Sequence, residues 1–324
     1  MAEEVWMLQT KKADFKQIGA RFRIDPVTAR IIRNRGIEGE AAIDRYLNGT
    51  LDDLYDPMLL KDMERAVSIL CEAVDTGKKI RIVGDYDIDG VCSTYILLQA
   101  FERLGSDVDF EIPDRIKDGY GINESIIEQA HADGVEVILT CDNGISAFHQ
   151  VELAKKYGMT VVITDHHEVP LDGEKEKIPP ADAVIDPKQA DCPYPFPEIC
   201  GAVVAYKLVQ VLYARRGVPQ MEWLDLLEFA AIATVGDVMK LQDENRILVK
   251  YGLKKMAQTK NLGLRRLAEK NNLDLGAITA YHIGFVIGPC LNAGGRLKTA
   301  KEALALLRAQ REEEAERLAE ELKE

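Results

Sequence analysis

Three short apolar runs in this chain end in acidic or imidazole side chains. Run 79–83 leads into Gly84-Asp85-Tyr86-Asp87-Ile88-Asp89-Gly90, run 135–140 into Cys141-Asp142-Asn143-Gly144, and run 159–164 into Asp165-His166-His167. The first two then pass into helical patterns and the third into a polar loop. In an open parallel sheet, ligands bind outside the carboxyl ends of the strands. Carboxylates and imidazoles gathered along one such edge make a hard, oxygen-rich metal site that suits manganese or magnesium.

Each group also has a plainer reading. Alternate residues of an extended segment face the same way, so Asp85, Asp87 and Asp89 would repel one another if unpaired. A solvated acidic turn accounts for them poorly, because the sequence on both sides is apolar. The spacing and Gly90 resemble the start of an EF-hand, but the twelfth position falls on Ile96 rather than a glutamate. A catalytic metal site is the better reading. Asp142 alone fits a phosphoacceptor as well as a metal ligand; beside the other two strand ends, the ligand is favoured. His166 and His167 would diverge on a strand, yet both can reach one site from a turn. One imidazole then holds a metal and the other handles a proton or a phosphate oxygen. Asp237, in Ala233-Thr234-Val235-Gly236-Asp237-Val238, is a carboxylate in an apolar stretch, costly unless paired or metal-bound. Asp186, before Pro187, reads as a turn former.

Substrate contacts are sought in two glycine-rich loops. Arg115 can fork onto a phosphate and Tyr120 can stack on a base, although an ordinary surface loop fits equally well. Asn292-Ala293-Gly294-Gly295-Arg296 presents an amide from Asn292 and a guanidinium from Arg296. No Walker A loop, dinucleotide fingerprint or GxSxG elbow occurs.

The elements that must position these residues alternate. Strands are expected at 79–85, 107–112, 135–141, 159–164 and 182–186, with helices at 91–104, 123–133 and 146–157. That is the rhythm of an α/β, doubly wound, mainly parallel sheet. Helical patterns occupy 201–214, 222–235, 243–257, 263–269, 276–286 and 299–323, and 169–180 reads as a polar loop. The division is a helical lead-in at 1–75 without visible chemistry, an α/β domain at 76–240 and a helical region at 241–324. The lead-in includes a helix capped by Asp25-Pro26 and another at 62–73. The charged pattern 311–324 reads as the start of a connecting helix cut short.

A chain of 324 residues, 47% of them hydrophobic, suits about two domains with a substantial core. No membrane span and no secretory leader is recognisable. The six cysteines lack CxxC pairing and read as free thiols in a cytoplasmic protein. The formal charge of −13 does not decide between nucleic acid and a small phosphate. The acidic tail supplies much of it, and ligand carboxylates are neutralised by cations.

The four segments around Asp85–Asp89, Asp142, Asp165-His166-His167 and Gly236-Asp237 resemble the motifs of the DHH phosphoesterase family. Asn34-Arg35-Gly36-Ile37, Asp53-Leu54-Tyr55-Asp56-Pro57, Ile112-Pro113-Asp114-Arg115, Gly119-Tyr120-Gly121, Tyr194-Pro195-Phe196 and the Asn292–Arg296 turn narrow the resemblance to the bacterial RecJ group of single-strand-specific exonucleases. The resemblance implies two manganese ions, with magnesium as the alternative, on Asp87, Asp89, Asp142, His166 and Asp237. Asp142 would bridge them and Asp85 would support or join them. His167 would act on the scissile phosphate or leaving oxygen, and Arg115, Tyr120 and Arg296 would engage the strand. It further implies 5′–3′ removal of nucleotides from single-stranded DNA in repair and recombination. The expected form is a monomer, with a helicase or single-strand-binding protein as candidate partner. Two departures stand out. The glycine-glycine-histidine signature of the DHH-associated domain does not occur here, and Cys290 and Gly294 stand where arginine and alanine are usual.

Three other functions compete: a DHH hydrolase of short oligonucleotides or cyclic dinucleotides, a non-catalytic replication scaffold, and a small-molecule pyrophosphatase. The scaffold relatives lose metal carboxylates that are all present here. The pyrophosphatases carry a histidine ahead of the aspartate pair, and none precedes Asp87 closely.

Overall fold

The computed structural model describes residues 7, 11–113, 121–292 and 300–323. Four helices come first: α1 (Phe15–Phe22), α2 (Pro26–Asn34), α3 (Glu40–Asn48) and α4 (Met63–Asp75). Asp25 caps α2 as its sequence suggests, accepting from the backbone N–H groups of Val27 and Thr28. The alternating region follows with β1 (Ile80–Val83), α5 (Ile88–Arg103), β2 (Val108–Glu111), α6 (Glu124–Ala132), β3 (Val137–Cys141), α7 (Phe148–Lys156) and β4 (Thr160–Thr164). The polar loop contains a small hairpin, β5 (Leu171–Asp172) and β6 (Lys175–Glu176), before β7 (Ala183–Ile185).

The five long-range strands pair in parallel in the order β2-β1-β3-β4-β7. Side chains alternate between two cores, as the pleat requires. Ile80, Ile82, Val137 and Leu139 pack with α4, α5 and the later helices. Val83, Ile138, Val161 and Ile163 pack with residues of α6 and α7. The crossover through α5 therefore lies on one face and those through α6 and α7 on the other. The winding reverses between β1 and β3, and a ligand crevice opens outside the carboxyl ends of strands at such a reversal. Asp85 and Asp87 follow β1, and Asp142 follows β3.

The remaining chain is helical: α8 (Gly201–Arg215), α9 (Gln220–Leu224), α10 (Leu227–Gly236), α11 (Asp243–Met256), α12 (Leu262–Lys270), α13 (Ala280–His282), α14 (Gly288–Leu291), α15 (Ala300–Arg308) and α16 (Glu312–Lys323). Two expected helices, 222–235 and 299–323, are each broken into a pair. The expected helix at 276–286 begins at Ala280 and reaches Leu291 through a π turn at Ile283–Ile287. Pro289 explains the turn: it donates no N–H, and its ring would meet the carbonyl four residues back in a regular α-helix.

Two of the quoted motifs are structural. Tyr55 of Asp53–Pro57 and Tyr194 of Tyr194-Pro195-Phe196 surround a buried ion pair, Lys207 to Glu244 at 3.0 Å. Lys207 donates to the Tyr55 carbonyl and Tyr194 donates its hydroxyl to Glu244, which supplies the hydrogen bonds such a buried pair requires. All six cysteines are free. Among the described residues, no helix is long and apolar enough to cross a membrane.

Candidate metal centre

Asp85, Asp87 and Asp89 do not lie along a strand. β1 ends at Val83 and α5 already starts at Ile88, three residues earlier than its periodicity suggests. Asp87 is the N-cap of α5, accepting from the N–H groups of Asp89 and Gly90 at 2.9 and 3.0 Å. Asp89 sits in the first turn, and Asp85 accepts from Gly121 N–H at 3.3 Å. A tight turn, not strand alternation, gathers them. Gly90 makes it feasible, since a Cβ there would stand 2.3 Å from the Asp85 carbonyl oxygen.

Asp142 follows β3 with a left-handed φ of 61°, a backbone strain of the kind that clusters at functional sites. Asn143 fixes this corner. Its amide donates to the carbonyls of Val83 and Cys141 and its oxygen accepts from Ile122 N–H. Asp237 is the C-cap of α10 and is half-buried rather than buried. It reaches the site because Gly236 lets α10 close on Ile88, 2.6 Å from where a Cβ would stand.

His166 is the hub. Its Nε2 lies 3.1 Å from Asp142 Oδ1, 3.4 Å from Asp89 Oδ2 and 3.8 Å from Asp237 Oδ2. The two histidine rings stand 4.5 Å apart, so both serve one site from the turn after β4. Three triads have ligand atoms within 4.8 Å of one another: Asp85, Asp87 and Asp142; Asp89, His166 and Asp237; and Asp142, His166 and His167. Asp142 and His166 join them into two adjacent oxygen-rich positions.

The electrostatics suit cations. None of Asp85, Asp87, Asp89 and Asp237 has a lysine or arginine ion-pair partner among the described residues. Burial, then the charge of Asp87, pushes Asp85 up to about 7. Burial, then Asp89 and Asp87, pushes Asp237 up to about 7 as well. Burial and the same neighbours hold Asp142 well above the usual carboxylate range, while burial lowers His166 and favours a neutral imidazole. Crowded carboxylates beside a neutral imidazole are a donor set that divalent manganese or magnesium fits.

His167 differs. Burial opposes its charge, but the hydrogen bond and charge of Asp165 prevail and bring it up to about 8. Asp165 Oδ1 lies 2.7 Å from His167 Nδ1 and accepts from the N–H groups of His166 and His167, and its Oδ2 accepts from Ile145 N–H. Asp165 is therefore a positioning residue, a role that its place before His166 and His167 does not reveal by itself. A second such feature is the start of α8. Both Asp89 oxygens accept from its backbone, Gly201 N–H at 2.6 Å and Ala202 N–H at 2.7 Å. These are N–H groups that no helical turn can satisfy. Gly201 is pressed against Asp142, with 2.7 Å between its notional Cβ and that of Asp142. The glycine was visible as a helix start, but nothing in the sequence tied it to the site.

Asn292 is exposed at the end of α14 and belongs to none of the triads. Arg115, Tyr120 and Arg296 lie outside the described residues. Asp186 does form its expected turn, accepting from Lys188 N–H at 2.8 Å. It is also fully buried, and burial, then the charge of Asp165, pushes it up to about 7.

Comparison with known proteins gives a consistent picture. Residues 79–234 match the model described as the DHH family, N-terminal domain. The single-stranded-DNA-specific exonuclease RecJ of Bacillus subtilis (strain 168) is 37% identical over 318 residues, 98% of this chain and 39% of that protein. Two crystal structures of RecJ from Thermus thermophilus match over 95% of this chain. The complex with Mn2+ has a TM-score of 0.77 at 31% identity, covering 43% of that chain. The complex with Mg2+ has 0.67 at 30%, covering 40%. The chain thus spans about two-fifths of the length of these relatives.

Proposed function

The chain belongs to the DHH family, and on that premise we propose that it is a two-metal phosphodiesterase that removes nucleotides from single-stranded DNA, in the 5′–3′ direction, in DNA repair and recombination. The observation that carries this reading is the pair of adjacent acidic positions joined by Asp142 and His166 at the winding reversal of the sheet. Asp85, Asp87 and Asp142 would hold one cation, and Asp89, His166, Asp237 and the shared Asp142 the other. Manganese is the preferred ion and magnesium the alternative, the two ions named in the similar RecJ structures. Such cations supply Lewis-acid stabilisation of the phosphoryl charge and activation of water at neutral pH.

The chain's own groups do the rest. Asp89 ties the site to α8, and Asp87 ties it to α5. His167, charged through Asp165, can donate to a phosphate oxygen or to the leaving oxygen. Arg115, Tyr120, Asn292 and Arg296 remain the proposed strand contacts. The working division is a helical lead-in at 1–75, the catalytic domain at 76–240 and helices at 241–324. The protein would act as a cytoplasmic monomer beside a helicase or single-strand-binding protein.

The test is digestion of single-stranded DNA labelled at either end, with manganese, by wild type and Asp142→Ala. The expected result is release of 5′-terminal nucleotides by wild type and none by the variant. Equal rates for the two proteins would refute the two-metal reading. Hydrolysis confined to dinucleotides would favour the short-oligonucleotide alternative.

A further inference from the structure

The chain carries a formal charge of −13, yet residues 11–36 hold eight lysines and arginines against two carboxylates. Both carboxylates are engaged by backbone. Asp14 caps α1 through Gln17 N–H, and Asp25 caps α2. The cations are left largely uncompensated. Arg21 and Arg33 pair with Glu40 and Glu38. Arg30 lies over the Phe15 ring, and Arg35 donates to the Tyr46 hydroxyl. Lys11, Lys12, Lys16 and Arg23 are exposed and have no ion pair among the described residues.

This basic surface has a fixed place. Helices α1 to α3 enclose a small core of their own around Ile32, Ile43 and Tyr46. They are fastened to α11 and the loop before it by side chains that reach helix-end carbonyls. Gln242 donates to Arg35, Arg246 to Tyr46 and Lys250 to Gly49, and Arg45 pairs with Asp243 at 3.0 Å. Gln242 is five residues beyond Asp237, so its backbone lies within ~18 Å of that of Asp237, and Arg35 is one Gln242 side chain and a hydrogen bond further on. Lys11 stands beside Gly36, its Nζ 3.7 Å from where a Cβ would be.

We propose that helix α1 and the residues flanking it form a phosphate-tracking arm, along which Lys11, Lys12, Lys16 and Arg23 hold the backbone of a single-stranded nucleic acid whose scissile phosphate lies at the metal centre. The proposal rests on the nuclease reading above and extends it to a segment that has no chemistry of its own. A polyanion is favoured over an acidic protein because the arm adjoins the acidic centre. A strand drawn to that centre by its cations needs phosphate neutralisation only beyond them, and exposed lysines supply this without sequence preference.

The test replaces all four side chains, Lys11→Gln, Lys12→Gln, Lys16→Gln and Arg23→Gln, in the full chain. Binding of a long oligothymidylate is measured across a salt series without divalent metal, so that it does not depend on hydrolysis. Each lost contact should flatten the log–log salt slope by about 0.7, or about 2 to 3 for the set. The KM for long strands should rise, while kcat on a dinucleotide with manganese stays at the wild-type value. A variant with the three lysines changed to arginine should keep the wild-type slope, which separates charge from folding. An unchanged slope in the glutamine variant overturns the arm, even if wild type digests DNA. An unchanged slope with charge-dependent binding to anionic vesicles overturns it in favour of a lipid surface. A wild type that binds strands through the arm but hydrolyses nothing defeats the nuclease reading and leaves the arm standing.

Discussion

Gly201→Ala tests whether the proposed metal centre is held together by the start of α8. The added Cβ would lie 2.7 Å from Asp142 Cβ and 2.9 Å from both its Cα and its Oδ1, against an ordinary contact of 3.4 Å or more. Something must yield by roughly 0.7 Å, in a core packed as densely as a crystal. If α8 retreats, the 2.6 and 2.7 Å bonds from Gly201 and Ala202 to Asp89 stretch to roughly 3.3 Å or more, beyond the range of a strong charge-assisted bond. Overpacking costs about 1–3 kcal/mol, and weakening two bonds to a charged group adds about 1 kcal/mol or more. Removing a glycine from the unfolded chain returns about 0.4–1 kcal/mol. The net loss is about 2–3 kcal/mol, or about 3–5 °C in Tm at this size. If Asp142 yields instead, the loss falls on metal affinity. Thermal unfolding without metal and manganese titration by calorimetry read the two outcomes separately. A variant with wild-type Tm and wild-type manganese affinity would refute the contact on which this reasoning stands.

Two further outcomes follow from the histidine pair. Asp165→Asn keeps the shape but removes the charge that raises His167 to about 8. In the protein without metal at pH 7.5, its protonated fraction should fall from about three quarters to about a tenth if its pKa returns to ~6.5, and the His167 imidazole titration followed by NMR should move down by more than one unit; an unmoved titration refutes the coupling. The stability linkage has the same sign. A folded pKa above the unfolded one stabilises fully below pH ~6.5 and is lost as pH rises through 8. The shift corresponds to ~2 kcal/mol before solvent screening and about 1 after it, because the ring is partly exposed. His166→Ala should cut metal affinity about tenfold or more with the larger effect there, whereas His167→Ala should mainly lower turnover. Equal losses of metal affinity by calorimetry would show that the two imidazoles do not divide the work in this way.

Local pattern along the chain was enough to show which residues could do chemistry and in what order the elements carry them. Continuous apolar runs marked β1, β3, β4 and β7, because a strand buried on both faces has few alternatives, and alternation marked β2, a partly exposed edge strand. The acidic and imidazole residues stood at their carboxyl ends, because that is the edge an α/β sheet leaves open. Tertiary structure decided how those residues meet. Asp85, Asp87 and Asp89 converge through a turn and a helix cap, since the backbone N–H groups that open α5 claim Asp87. Asp237 arrives from a helix that closes on Ile88 through Gly236. Gly201 acquires its role only from a partner 59 residues distant in sequence, Asp142, and Asp165, which holds its neighbour His167, is itself fixed by Ile145, 20 residues away. Local pattern records burial and backbone preference; it does not record which distant groups will lie within 3 Å. The expected helices that were broken or shifted show the same limit. Pro289 does not end the helix, because a π turn at Ile283–Ile287 absorbs the misfit of its ring and missing N–H.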